Sequence, residues 1–282
     1  MMPRAPGLDA LRTSFRDDGA VVLRGALDTA GIAAAERAYT WSLENPGPHA
    51  RDVLAGRPGA FYQDHANAAA SQRHCALLRD HGLADLVASV IDSASLWFLY
   101  EQIWLKDRGD CRRTPWHQDL PYIPVSGDHV VTMWINLDGV PVENSLEFIP
   151  GSHRGPLFNP TAFDPDDSSA AMYADGTWPP LPDIEQDRAA WPIMSWAVEP
   201  GDVVLFHMAT LHGGAPTRAG QRRRTISLRC FGEHAFCAER PGHDHADGGQ
   251  PGQTCGGGDP IEQMARMPAG SPFRHPDFPR LR

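Results

Sequence analysis

Apolar and polar positions divide the chain into a helical first third and a strand-rich remainder. Leu8 to Arg16 has helical spacing, and Ala20-Val21-Val22-Leu23 follows as a short strand. Asp28 or Thr29 suits the cap of a helix running to about Leu43, where Asn45-Pro46-Gly47-Pro48 stops it. Residues 50–70 carry neither period and read as loop. A helical stripe returns from Ser71 to Asp92, with Leu77, Leu78, Leu86, Val87 and Val90 on its apolar face and Gly82 as a break. The texture then changes. Leu96–Leu105, Val130–Leu137, Leu146–Ile149, Val203–Phe206 and Thr225–Phe231 read as strands, and Pro150-Gly151 fits a type II turn. Short strands parted by Pro/Gly turns predict a sandwich, barrel or jelly roll, with the helices packed outside a sheet.

Residues 156–195 interrupt the strand pattern. They combine many acids and prolines with Phe158, Phe163, Tyr173 and Trp178. So long a loop inside a compact domain is a lid or disordered, and its aromatics favour a lid. The expected organisation is one domain over 1–282. It has a helical part at about 1–95, a core at about 96–232 with the lid-like insertion at about 156–195, and a Gly/Pro-rich tail at about 239–282.

Composition narrows the function. The net charge of −10 comes without a basic stripe, so nucleic acid is not an expected partner. Lys106 is the only lysine; every other cationic side chain besides histidine is arginine, a bias of GC-rich coding. Five scattered cysteines indicate no disulfide framework. The first residues lack a secretory pattern, and no apolar run is long enough to span a bilayer. A cytoplasmic protein without a membrane partner is expected.

The chemistry concentrates in Trp116-His117-Gln118-Asp119 and, far downstream, Thr210-Leu211-His212-Gly213-Gly214. Two histidines and one carboxylate hold one face of a ferrous ion and leave the other open, as in non-haem iron oxygenases. In a strand, residues two apart share a face, so His117 and Asp119 would aim at one metal while Gln118 points away. His212 would arrive from a distant strand. His207 has the opposite parity to His212 and would not converge with it. His153 follows a turn and reads as structural. His243-Asp244-His245 with Cys230 and Cys237 matches no standard zinc spacing. Arg223 shares strand parity with Thr225, Ser227 and Arg229, a polar face that would look into the barrel, while Ile226, Leu228 and Cys230 face a packed layer. A planar guanidinium there suits a carboxylate. Trp134 shares a face with Thr132 and Asn136, and serves as core or as ligand wall.

These residues, together with Asn144-Ser145-Leu146-Glu147-Phe148-Ile149-Pro150-Gly151-Ser152-His153 and the opening Phe15-Arg16-Asp17-Asp18-Gly19-Ala20-Val21-Val22-Leu23, resemble the phytanoyl-CoA dioxygenase family over about residues 8 to 232. The resemblance implies a mainly β fold with flanking helices: a double-stranded β-helix, the cupin-like jelly roll. It implies Fe(II), 2-oxoglutarate and O2, with a small-molecule substrate such as a secondary metabolite or small organic acid. His117, Asp119 and His212 match the iron ligands, and Arg223 the partner of the distal carboxylate of 2-oxoglutarate. Trp134, Gln102 and Gln118 match positions lining the cosubstrate pocket. Many members carry a serine where this chain has Gly214, which leaves one cosubstrate hydrogen bond without its usual donor. The halogenating relatives lack the carboxylate ligand, so Asp119 argues against halogenation. Hydroxylation of an unactivated C–H bond, with succinate and CO2 released, is the expected outcome. Epimerisation, desaturation, cyclisation and endoperoxide formation use the same cofactors, and a metal-binding cupin without oxygenase activity would need no Arg223.

Overall fold

A computed structural model describes residues 7–53, 55–57, 59–164, 166–174, 176, 178–241 and 259–282. Helix α1 (Leu8–Asp18) leads into β1 (Ala20–Leu23) and α2 (Thr29–Glu44). Strands β2 (Arg51–Val53) and β3 (Phe61–His65) precede α3 (Ser71–Asp80) and α4 (Leu83–Val90). The remaining strands are β4 (Leu96–Lys106), β5 (Thr114–His117), β6 (Val125–Ser126), β7 (Val130–Asn136), β8 (Leu146–Phe148), β9 (Met194–Ser195), β10 (Val203–His207), β11 (His212–Gly214), β12 (Arg223–Gly232) and β13 (Phe236–Cys237), with α5 (Asp259–Ala265) near the end.

The strands form a seven-stranded sheet in the order β1-β10-β7-β12-β4-β3-β2, a four-stranded sheet β5-β11-β8-β9, and the ribbon β13-β6. Every pairing between them is antiparallel. This is the jelly-roll arrangement, mainly β with flanking helices. Among the described residues no helix is long and apolar enough to cross a membrane.

The helical boundaries follow local chemistry. The Asp28 carboxylate accepts from the Gly31 N–H at 2.8 Å and caps α2. Gly82 takes the left-handed conformation at φ 73° and separates α3 from α4. Residues 50–70 differ from the loop expected: β2 and β3 extend the sheet there. Their sequences, Arg51-Asp52-Val53 and Phe61-Tyr62-Gln63-Asp64-His65, carry too many polar positions to betray a strand. The inward side of β3, Phe61, Gln63 and His65, faces the cavity and not a packed core, so the usual apolar alternation is absent.

Strand parity sorts the large sheet into two chemistries. Ile226, Leu228 and Cys230 join Val131, Met133 and Ile135 in a core cluster shared with Leu77, Leu78, Leu83 and Val87 of the helices. Full burial of such a side chain contributes about 1.5–3 kcal/mol. The opposite parity, with Thr132, Trp134, Arg223, Thr225, Ser227 and Arg229, lines the interior cavity. Within β4 the parity reverses. Leu96 and Phe98 join the helix-facing core, yet Tyr100, Gln102, Trp104 and Lys106 face the cavity. The cause is a bulge: Cys230 pairs with Phe98 and Arg229 with Tyr100, which leaves Leu99 as an extra residue.

Candidate metal and cosubstrate site

Strands β5 and β11 are neighbours, and His117 and His212 are direct cross-strand partners. Their ring centroids lie 4.2 Å apart. The strand ends at His117, however. Asp119 adopts helical backbone angles, φ −73° and ψ −36°, at the start of a 3-10 turn whose second residue is Pro121. Asp119 therefore joins the histidines by a turn of the chain, not by the strand alternation expected. Its Oδ1 lies 3.8 Å from His117 Nε2 and 4.0 Å from His212 Nε2. The ligand-capable atoms of all three residues fall within 4.8 Å of one another.

Both imidazoles are set by the same device. His117 Nδ1 lies 2.8 Å from the Pro115 carbonyl, and His212 Nδ1 lies 2.9 Å from the Thr210 carbonyl. A carbonyl accepts only, so each Nδ1 carries the proton and each Nε2 presents a lone pair to the shared space. Burial, then the neighbouring His212, pushes His117 down to about 3, and burial also lowers His212. Neutral rings are what a metal requires.

Asp119 is held charged. Burial alone would raise its pKa, but Arg229 and the two histidines outweigh this and keep the carboxyl well below its usual range. Arg229 Nη2 donates to Oδ1 at 3.2 Å, and the Thr132 hydroxyl donates to Oδ2 at 2.8 Å. The residues present thus suit a divalent cation: two oriented nitrogen donors, one fixed carboxylate, all buried.

The donors line a cavity of about 240 Å³. Arg223 lines it too, buried at 6% exposure, with its guanidinium carbon 5.9 Å from the Trp134 ring centroid. One arm of the fork donates to the Asn144 carbonyl. Among the described residues no carboxylate pairs with Arg223, and burial brings its pKa down to about 10. A buried cation without a counter-ion is costly, and a ligand carboxylate would relieve that cost. Trp134 and Gln102 also line the cavity, and Gln102 Oε1 accepts from Arg229 Nη1 at 3.2 Å.

Gln118 is a correction. It does not line the cavity. Its Nε2 donates to the carbonyls of Ala209 (2.8 Å) and Pro156 (3.2 Å), and its Oε1 accepts from the Phe158 N–H (2.9 Å). It points away from the donors, as its parity with His117 predicts, and fastens the start of the 156–195 segment. Tyr122 Oη donates to Thr161 O at 2.7 Å and Tyr173 Oη to Pro121 O at 3.0 Å, further ties across the same mouth. Phe163 stands edge-on over His117, with ring centroids 5.2 Å apart.

His65 lines the cavity, but His207 and His153 stay apart from the site. His207 Nε2 lies 3.1 Å from the Gly127 carbonyl, and its Nδ1 accepts from the Ala209 N–H. His153 Nε2 lies 3.1 Å from the Arg16 carbonyl. His243, Asp244 and His245 lie outside the described residues. Sequence reasoning placed Arg229 on the inward face without a role; its ion pair with Asp119 supplies one. Gly214 sits opposite Thr114, and a Cβ added there would lie 3.1 Å from the Thr114 hydroxyl oxygen.

Comparison with known proteins places this geometry. The family model described as phytanoyl-CoA dioxygenase matches residues 15–225. A probable alpha-ketoglutarate-dependent hypophosphite dioxygenase of Stutzerimonas stutzeri is 29% identical over 114 residues, 40% of this chain and 37% of that protein. The chain thus matches well under half the length of that relative. Among solved structures, the non-haem alpha-ketoglutarate-dependent epimerase of nogalamycin biosynthesis superposes with a TM-score of 0.67, covering 98% of both chains at 22% identity. The carbocyclase of the same biosynthesis gives 0.67 over 99% of both at 20% identity. At such identities the likeness is one of fold.

Proposed function

The chain belongs to the phytanoyl-CoA dioxygenase family, and on that premise we propose that it is a non-haem Fe(II)- and 2-oxoglutarate-dependent dioxygenase acting on a small molecule. His117, Asp119 and His212 would hold the iron, and Arg223 the far carboxylate of 2-oxoglutarate beside Trp134 and Gln102. The observation that supports this most is that three convergent donors share one cavity with a buried arginine that no carboxylate among the described residues neutralises. A metal-binding jelly roll without cosubstrate would have no use for that arginine.

Bound iron, with 2-oxoglutarate and O2, supplies the oxidising power for C–H chemistry, with succinate and CO2 as co-products. The protein's contribution is placement. The Pro115 and Thr210 carbonyls fix the two imidazole tautomers. Arg229 and Thr132 keep Asp119 ionised and oriented. Residues 156–195 act as a lid over the mouth, fastened by Gln118, Tyr122 and Tyr173, and exclude water from the reacting face.

Hydroxylation is the reading adopted for the outcome. Purified protein with ferrous ion, 2-oxoglutarate and O2 should form succinate only when all three are present. A substrate library read by mass spectrometry should show gain of one oxygen. Loss of two hydrogens would mean desaturation or ring closure, and an isomer of unchanged mass would mean epimerisation. No succinate under any condition, with the protein folded and metal bound, would return the chain to the class of metal-binding jelly rolls without oxygenase activity.

A further inference from the structure

The turn after Asp119 reads Leu120-Pro121-Tyr122-Ile123-Pro124-Val125, and its two prolines have no N–H to give. Its carbonyls therefore draw on donors from elsewhere in the chain. The Tyr173 hydroxyl donates to the Pro121 carbonyl, and the Ala238 N–H donates to that of Pro124 at 3.1 Å. Arg240 supplies two more: Nε donates to the Leu120 carbonyl at 3.0 Å, and Nη2 to the Val125 carbonyl. Its Nη1 donates to the Glu239 carbonyl at 2.8 Å. Arg240 is 7% exposed, and Trp178 of the 156–195 segment covers its guanidinium, with the ring centroid 5.7 Å from the guanidinium carbon. Among the described residues no carboxylate pairs with Arg240, and burial brings its pKa down to about 10. Burying a cation against neutral carbonyls is costly. What the planar fork gains there is a bridge between two carbonyls five residues apart, and the bridged segment begins one residue after Asp119. Arg240 also lies beyond residue 225, where the match to the family ends.

We propose that Arg240 is a positioning residue for the metal centre: by clamping the Leu120 and Val125 carbonyls it fixes the turn from which the Asp119 carboxylate reaches the metal. This rests on the assignment of Asp119 as a metal ligand above. Arg229 and Thr132 hold the carboxylate itself. Where that side chain starts is set by the backbone, and the Asp119 carbonyl accepts the Tyr122 N–H at 3.2 Å inside the clamped turn. Groups that hold a ligand in place contribute about ten- to hundredfold to metal affinity.

The test compares two arginines that follow β13. Arg274 also donates to three backbone carbonyls, those of Gly232, Glu233 and Phe273, and lies over Trp97, but it does not line the cavity. Arg240→Met should weaken Mn(II) about ten- to hundredfold by calorimetry. It should also alter the visible spectrum of the Co(II)-loaded protein, which reports ligand geometry. Arg274→Met should melt lower than wild type yet hold Mn(II) within about twofold and leave the Co(II) spectrum unchanged. Wild-type Mn(II) affinity and spectrum in Arg240→Met would make Arg240 a brace for the fold alone. Equal weakening in both variants would assign the loss to general destabilisation, and either result overturns the proposal. A wild type that binds no Mn(II) would overturn the metal site itself, which Asp119→Ala tests separately. Should Arg240→Met not fold, Arg240→Lys is measured in the same way. Its ammonium keeps the charge but offers one nitrogen where the fork offers two. Weaker Mn(II) binding and a changed spectrum are still expected, and wild-type values for both would refute the clamp.

Discussion

Replacing Arg229 by methionine removes the guanidinium that neutralises Asp119 while keeping most of the apolar stem. The pair is 3.2 Å apart, with the Arg229 and Asp119 side chains 9% and 5% exposed. At an effective dielectric of about 20, two unit charges at that separation attract by ~5 kcal/mol. Deleting one partner of a buried pair costs about 3–5 kcal/mol, because the other charge stays buried. Thr132 still donates to Asp119 and offsets part of the loss. The metal-free variant should therefore melt lower by on the order of 10 °C, at roughly 2–4 °C per kcal/mol for a domain of this size. A bound divalent cation would take over neutralisation of Asp119. Saturating Mn(II) should thus raise the variant's melting temperature more than the wild type's and narrow the gap. Thermal melts with and without metal measure both effects. The companion variant Asp119→Asn/Arg229→Met should be less destabilised than Arg229→Met alone. A metal-free Arg229→Met melting within about 1 °C of wild type, or a deficit that metal leaves unchanged, would refute the reasoning.

Four further outcomes are expected. Arg223→Ala should weaken 2-oxoglutarate roughly ten- to hundredfold while leaving metal affinity intact, checked by calorimetry with each ligand. Gln118→Ala frees the carbonyls and N–H at 156–158 and should raise hydrogen exchange there and uncouple succinate release from product formation. Gly214→Ser should weaken 2-oxoglutarate binding, because its Cβ would meet Thr114 Oγ1 at 3.1 Å and Leu146 Cδ2 at 3.5 Å; Thr114→Ala in the same chain should restore binding, and additive losses would deny the coupling. Metal-free stability should fall with acid between pH 6.5 and 4. Burial, the first cause in each case, holds His65, His74 and His207 neutral down to about 4 and His117 down to about 3, whereas the unfolded chain protonates them near 6.5. Glu101, raised to about 7 by burial, works in the opposite sense. Four protons gained and one lost leave a net uptake of about three on unfolding near pH 5, so stability rises with pH there. Melts in buffers across this range read the slope, and a flat profile contradicts it.

Much of this site was legible before any coordinates. Parity along 223–229 separates a polar inner face from an apolar outer one because β12 is regular over those residues. His117 and His212 were legible as a pair because a histidine beside a carboxylate and a second histidine before two glycines form an unusual text. What failed to read shares one cause: the backbone leaves ideal alternation. The strand stops at His117, so Asp119 reaches the histidines from helical angles. The bulge at Leu99 reverses parity within β4, so no single period fits Leu96–Lys106. Strands β2 and β3 border the cavity and the edge of the sheet, where apolar alternation is not needed.

Strand β12 divides two kinds of consequence between alternate residues. Ile226 and Leu228 are fully buried against the helices, so truncating either to alanine should cost about 2–5 kcal/mol of stability and leave ligand affinities alone. Thr225 and Ser227 face the cavity. Their loss should alter binding with little effect on melting, since each removes few packed atoms. Arg223 and Arg229 stand at the two ends of this polar row, but they differ in what balances them. Arg229 has its acid within the chain, so its removal strands Asp119 and destabilises the metal-free fold. Arg223 has none among the described residues, so its removal takes away a buried, uncompensated charge. Arg223→Met should therefore leave the metal-free protein as stable as wild type, or more so, while 2-oxoglutarate ceases to raise its melting temperature. The two arginines, six residues apart on one strand, differ in the metal-free fold because only Arg229 has its anion among the described residues, and the loss of 2-oxoglutarate stabilisation in Arg223→Met tests whether the cosubstrate supplies the other.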